Sequence, residues 1–238
     1  MQILKGQDLT SPKVLIYGQS GVGKSTLASK LKKPIFLDFE GGLNYLGVDR
    51  VPQIIDLDVF YSYLVELYRK AESKDGREYD TIVIDSADWM VRKIIEKAAG
   101  ITKDNLEETL NKSNGGYGNG GQVLSNHIRT KLLPMLAALN KKGYGICLIA
   151  HAERKSLMDE DGVNIDRIAP KIDEKTMHVF VEFMDSVFYL KRNSDGERVL
   201  VLDGNDNVLA KNRLSLAGEV NLADVDINKL LTNVKKEK

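Results

Sequence analysis

The chain has 238 residues, 42% of them hydrophobic, which suits one well-packed domain or a domain with a modest appendage and excludes a disordered or fibrous chain. Lysine plus arginine match aspartate plus glutamate at 34 each, so no global field draws the protein to nucleic acid or to a membrane, and any nucleic-acid contact has to be local. A single Cys147 inside the apolar GICLIA reads as a buried thiol in a reducing compartment; with no stretch of membrane-spanning length, the expected location is the cytoplasm, without a membrane partner.

The amino terminus, MQILKGQDLTSPK, lacks the apolar core of a signal peptide. The first β-type run, VLIY (14–17), leads into GQSGVGKS (18–25), which matches G-x-x-x-x-G-K-[ST] and is followed by the helix-compatible TLASKLKK. Strand, glycine-rich loop and helix are the context a phosphate-binding loop needs. Gly18, Gly21 and Gly23 let backbone N–H groups turn towards phosphate oxygens, Lys24 reaches the β/γ-phosphates and Ser25 ligates Mg²⁺. Gln19, Ser20, Val22 and Thr26 complete the expected ATP-binding loop.

Next comes PIFLDF (34–39), whose end carries Asp38, Glu40, Gly41 and Gly42, then a helical pattern in FYSYLVELYRKA (60–71). TIVID (81–85) ends on Asp85, placed as a magnesium carboxylate ought to be. Triphosphate hydrolysis also needs a group that polarises the attacking water, often a glutamate directly after that aspartate, but here the position is Ser86. Glu40, at the carboxyl edge of the preceding strand with glycines leaving room around it, is the expected base; Asp38, nearer the strand, is expected to orient locally.

Helical period returns in DWMVRKIIEKAA (88–99) and, despite Pro134, in VLSNHIRTKLLPMLAALNKK (123–142). YGICLIA (144–150) is a strand ending at His151. A polar residue there suits sensing of the γ-phosphate if this strand lies between those carrying the two nucleotide motifs, whereas a bland reading makes it a satisfied structural histidine. SVFYLK (186–191) and RVLVLDG, joined by a polar turn with Asp195 and Gly196, read as an antiparallel hairpin over about 185–203. Two stretches, 100–122 and 152–175, resist assignment.

Alternating strands and helices give an α/β fold with a mainly parallel central sheet, sites at the carboxyl ends of its strands and an antiparallel C-terminal edge hairpin. The expected division is a core over residues 1–215 and a tail over 216–238, with a short helix capped by Asp226 and a charged end.

These residues resemble the RecA-like P-loop ATPases, most closely the small phage-encoded nucleotide-binding proteins of recombination and single-strand annealing. IFLDFEGGLNYL, TIVIDS and ICLIAHAERK carry the likeness beside the P-loop, with His151 where the family often has Gln. The resemblance implies a DNA-stimulated ATPase, a homo-oligomer as ring or short filament, single-stranded DNA and a phage single-strand-binding or recombination protein as partners, and the bacterial host cytoplasm as location. It also places the two unassigned stretches where the family carries DNA-binding loops. Lys112 and Tyr117 in the first would contact DNA, with a base stacking on Tyr117; Arg154, Lys155, Arg167, Lys171 and Lys175 in the second would reach phosphates. The second stretch nevertheless holds seven acids against five bases. Lys211 and Arg213 in LAKNRLSL resemble the Lys-x-Arg element that related ATPases insert into a neighbouring subunit's site. A small-molecule kinase and a nucleotide-switched binding module are the alternatives. Arg154 and Arg167 are too sparse for a kinase lid, and DSAD and NKKG are not guanine-nucleotide signatures.

Overall fold

The computed structural model describes residues 11–73, 76–98, 100, 110–158, 162 and 164–232. The amino-terminal run 1–10, parts of both unassigned stretches, the side chain of Lys175 and the charged end 233–238 lie outside the described residues.

Among the described residues, ten strands form the sheet: β1 (Lys13–Gly18), β2 (Pro34–Asp38), β3 (Asp49–Arg50), β4 (Thr81–Asp85), β5 (Gly145–Met158), β6 (Asn164–Pro170), β7 (Ser186–Arg192), β8 (Arg198–Val201), β9 (Lys211–Asn212) and β10 (Glu219–Asn221). The main path runs β10-β8-β7-β1-β5-β4-β2-β3, parallel from β7 to β3; β8 and β10 add antiparallel at one edge, and β6 and β9 pair off the path with β5 and β7. This is the α/β class read from the alternating pattern, with β7 and β8 as the expected hairpin.

Apolar runs without polar alternation need cover on both faces. Leu15, Tyr17, Leu37, Ile84 and Leu148 face a layer made by α2 (Leu57–Glu72), α3 (Ala87–Ala98), α4 (Asn119–His127), α5 (Leu133–Lys141) and α6 (Glu174–Phe183). Val14, Ile16, Phe36, Val83, Ile149 and Phe188 face α1 (Lys24–Ala28) and α7 (Ile227–Thr232). Cys147 is fully buried in this second layer, and burial pushes its thiol well above the usual range, so it stays neutral and structural.

Four details differ from the sequence reading. Helix α1 ends at Ala28, and Ser29–Lys33 continue as turns rather than helix. The helix expected over 123–142 is interrupted by a π turn at Ile128–Leu132, where Pro134 offers no N–H and crowds the carbonyl one turn back, so the ladder widens ahead of it. Residues 152–158 and 164–170, within the second unassigned stretch, are strands: β5 runs on past the sheet and pairs with β6 from Ala152↔Pro170 to Met158↔Asn164. The segment after 215 adds β10 to β8 and buries Ile227 and Leu231, with Asp226 capping α7 as expected through the N–H of Asn228.

Candidate active site

Strand order sets the site. β5 lies between β1 and β4, so Gly18, His151 and Asp85 come to one edge, with Asp38 of β2 beside Asp85. Gly18 pairs with both β5 and β7, and a Cβ there would stand 2.3 Å from the carbonyl oxygen of Leu190, so only glycine lets the loop leave the strand. Lys24 Nζ donates to the carbonyls of Gly18 and Gln19, both at 3.0 Å, and so arches over the loop. Val22 turns into the core, while Ser20, Gly21, Gly23 and Thr26 line a cavity of about 280 Å³.

Lys24, Ser25, Glu40, Asp85, His151 and Arg198 also line it. Ser25 Oγ donates to Asp85 Oδ2 at 2.6 Å. Burial raises the Asp85 pKa to about 6, with nearby Glu40 and Asp38 adding to the rise, while the Ser25 hydrogen bond and Lys24 oppose it. Burial conversely lowers the Lys24 pKa against the pull of Asp85, Glu40 and Asp88. A buried carboxylate this short of positive charge, with a hydroxyl aimed at it, fits a divalent cation. Among the described residues no group of three or more His, Cys, Asp or Glu could cage a metal by itself, so these two side chains would share the cation with phosphate oxygens and water.

Asp38 does orient locally. Its Oδ1 accepts from the N–H groups of Glu40 at 3.1 Å and Gly41 at 2.7 Å, which turns the chain sharply and presents Glu40 to the cavity. Glu40 Oε1 lies 3.8 Å from His151 Nε2. The other face of that imidazole meets Asp88, in the first turn of α3: Nδ1 is 2.9 Å from Oδ2, and the His151 backbone N–H donates to Oδ1 at 3.1 Å. The β4 ladder ends at Asp85↔Ile149, so Asp88 supplies the acceptor that a longer strand would have given His151. The hydrogen bond that His151 donates to Asp88 raises the His151 pKa; burial disfavours charge on Asp88, but the bonds from His151 outweigh it and its pKa falls.

Other expected residues lie elsewhere. Tyr117 stands fully exposed in the turn between the helical residues 110–112 and α4, and Lys112 is on the surface beside it. On the β5–β6 hairpin Arg154 is exposed, Lys155 is paired with Glu153 at 2.6 Å, and Arg167 Nε donates to the Asp206 carbonyl at 3.1 Å. Lys171 sits at the hairpin's root, its N–H donating to the His151 carbonyl at 2.8 Å. Lys211 and Arg213 are not brought to this chain's own site. They flank the first residues of β7, at the opposite sheet edge, where Arg213 reaches Asp185 Oδ1 at 3.3 Å.

A family model described as "AAA domain" matches residues 10–214, a span that holds the P-loop, Glu40, Asp85, Asp88 and His151. The chain belongs to the AAA domain family. Membership implies nucleotide binding and hydrolysis. Over 185 residues the chain is 28% identical to the SPbeta prophage-derived uncharacterized protein YorG of Bacillus subtilis (strain 168), covering 77% of this chain and 52% of that protein. The chain therefore spans about half the length of that relative.

Sequence reading missed two site residues. Asp88 had a signal, an acidic residue in the first turn after the strand that ends on Asp85. Arg198 had none, because only the return of the hairpin over the P-loop brings it to the cavity.

Proposed function

We propose that this chain is a Mg²⁺-dependent, RecA-like ATPase that binds single-stranded DNA and acts as a homo-oligomer in phage recombination, annealing or replication. One observation carries the ATPase reading. A carboxylate held by its own turn, Glu40, shares a cavity with Lys24, Ser25 and Asp85 and lies against His151. Glu40 would accept the proton of the attacking water, and Lys24 would hold the transferred phosphoryl group. His151, held by Asp88 through Nδ1–H, would in its protonated form, which Asp88 favours, donate from Nε2 to the group being transferred or to Glu40. When bound through Ser25 and Asp85 with the nucleotide, magnesium supplies neutralisation of phosphate charge.

The DNA reading is supported by the hairpin that continues β5 directly from His151, with Arg154 exposed along it and Lys171 at its root, and the phage context by the likeness to a prophage-derived protein. Lys211 and Arg213, remote from their own cavity, suit delivery to a neighbouring subunit.

Steady-state ATP hydrolysis with Mg²⁺, with and without single-stranded DNA over a range of salt, tests both. Hydrolysis that vanishes in Lys24→Ala and is stimulated by DNA in a salt-sensitive way is expected. Hydrolysis indifferent to DNA would remove the DNA role and leave the ATPase; no hydrolysis under any condition would remove both.

A further inference from the structure

We infer that Arg198 is a nucleotide-binding residue acting within the same chain, gripping the α- and β-phosphates while the cleft beyond it receives the sugar and base. This rests on the ATPase reading above. The β7–β8 hairpin returns across the P-loop so closely that a Cβ on Gly23 would stand 3.0 Å from Arg198 Nη1 and 3.3 Å from its Cζ. The guanidinium thus lies against the backbone that cradles phosphate. No carboxylate is within ion-pair distance of it among the described residues, although the cavity it lines also holds Glu40 and Asp85. Lys24 and Arg198 are the permanent cations of that lining, and a polyphosphate brings more negative charge than Lys24 alone can offset.

Sheet order gives the direction. Glu40, Asp85 and His151 stand on β2, β4 and β5 or just past their ends, to one side of β1, and Arg198 comes from β8 on the other. The phosphate to be cleaved belongs beside Glu40 and His151, so the phosphates nearer the nucleoside extend towards Arg198. A second cleft of about 470 Å³ continues there, sharing Gly23, Thr26 and Arg198 with the first and adding Lys30 and Arg192. The backbone around Arg198 is anchored on both sides. Its carbonyl accepts from Leu222 N–H at 2.9 Å, and Asn193 Oδ1 accepts from Asp195 and Glu197 N–H to close the hairpin.

Calorimetric titration of the full chain with Mg-ADP and with a non-hydrolysable Mg-ATP analogue tests the assignment. Arg198→Ala should weaken both by a similar factor, roughly tenfold to a hundredfold for a charge-assisted contact, and Arg198→Lys should regain part of it. Unchanged thermal unfolding of the free variants shows that the fold is intact, as expected for an exposed side chain. Mg-ADP affinity within about twofold of wild type in Arg198→Ala, or a loss confined to the triphosphate analogue, overturns the placement. Wild-type protein that binds neither nucleotide would bring down the ATPase reading and this one together.

Discussion

Replacing Asp88 by asparagine keeps the side-chain shape but removes the charge that holds His151. Two hydrogen bonds are affected, Nδ1 to Oδ2 at 2.9 Å and backbone N–H to Oδ1 at 3.1 Å, around a carboxylate whose side chain is 11% exposed. A bond to a charged acceptor contributes about 1.5–3 kcal/mol and a neutral one about 0.5–1.5, so Asp88→Asn should cost roughly 2 kcal/mol. In a chain of this size that is a fall of about 4–8 °C in Tm. The pH dependence has a definite sign. The raised His151 pKa contributes stability that is complete below the ordinary histidine value of 6.5 and is lost as pH climbs through the folded value. The lowered Asp88 pKa contributes stability that is complete above the ordinary aspartate value of 3.8 and is lost as pH falls through the folded value. The difference between wild type and Asp88→Asn should therefore be largest between these two ordinary values and narrow on either side. Thermal unfolding followed by circular dichroism across this range, with an NMR titration of the His151 ring, measures both effects; the ring should titrate lower in the variant. Equal Tm values and an unmoved His151 titration would refute the clamp.

Glu40→Gln should keep nucleotide affinity and lose roughly 10²–10⁴-fold in steady-state hydrolysis, the range for removal of a positioned base; wild-type rates would show that another group activates the water. Tyr17→Phe tests the join of β1 to β6 and to the chain after β8. The Tyr17 hydroxyl, at a fully buried residue, lies 2.9 Å from the Ile168 carbonyl and 2.7 Å from that of Leu209, so its loss should cost about 1–3 kcal/mol in urea denaturation, and a change below roughly 0.3 kcal/mol would show that neither bond matters to stability.

The sequence by itself determined the parts whose physics is local. A phosphate-binding loop is eight consecutive residues whose glycines and lysine shape one turn of backbone, so Gly18 to Ser25 could be read directly. Unbroken apolar runs required strands covered on both faces, which fixed the α/β class, and the carboxylates ending two of those runs pointed to Asp85 and Glu40. Tertiary structure decided what depends on pairing between distant segments. The stretch 152–175 resisted assignment because strands that leave the sheet carry no continuous apolar face, yet backbone pairing joins 152–158 to 164–170 as a hairpin. The segment after 215 read as a tail because an edge strand of three residues is held by backbone bonds that any side chains permit. Asp88 faces His151 because β4 ends at Asp85, opposite Ile149 and two residues short of His151 along the register, and Arg198 meets Gly23 because β7 and β8 fold back across the P-loop. Local backbone preference is written in neighbouring residues; the approach of residues 63 or 175 positions apart is fixed only when the sheet closes.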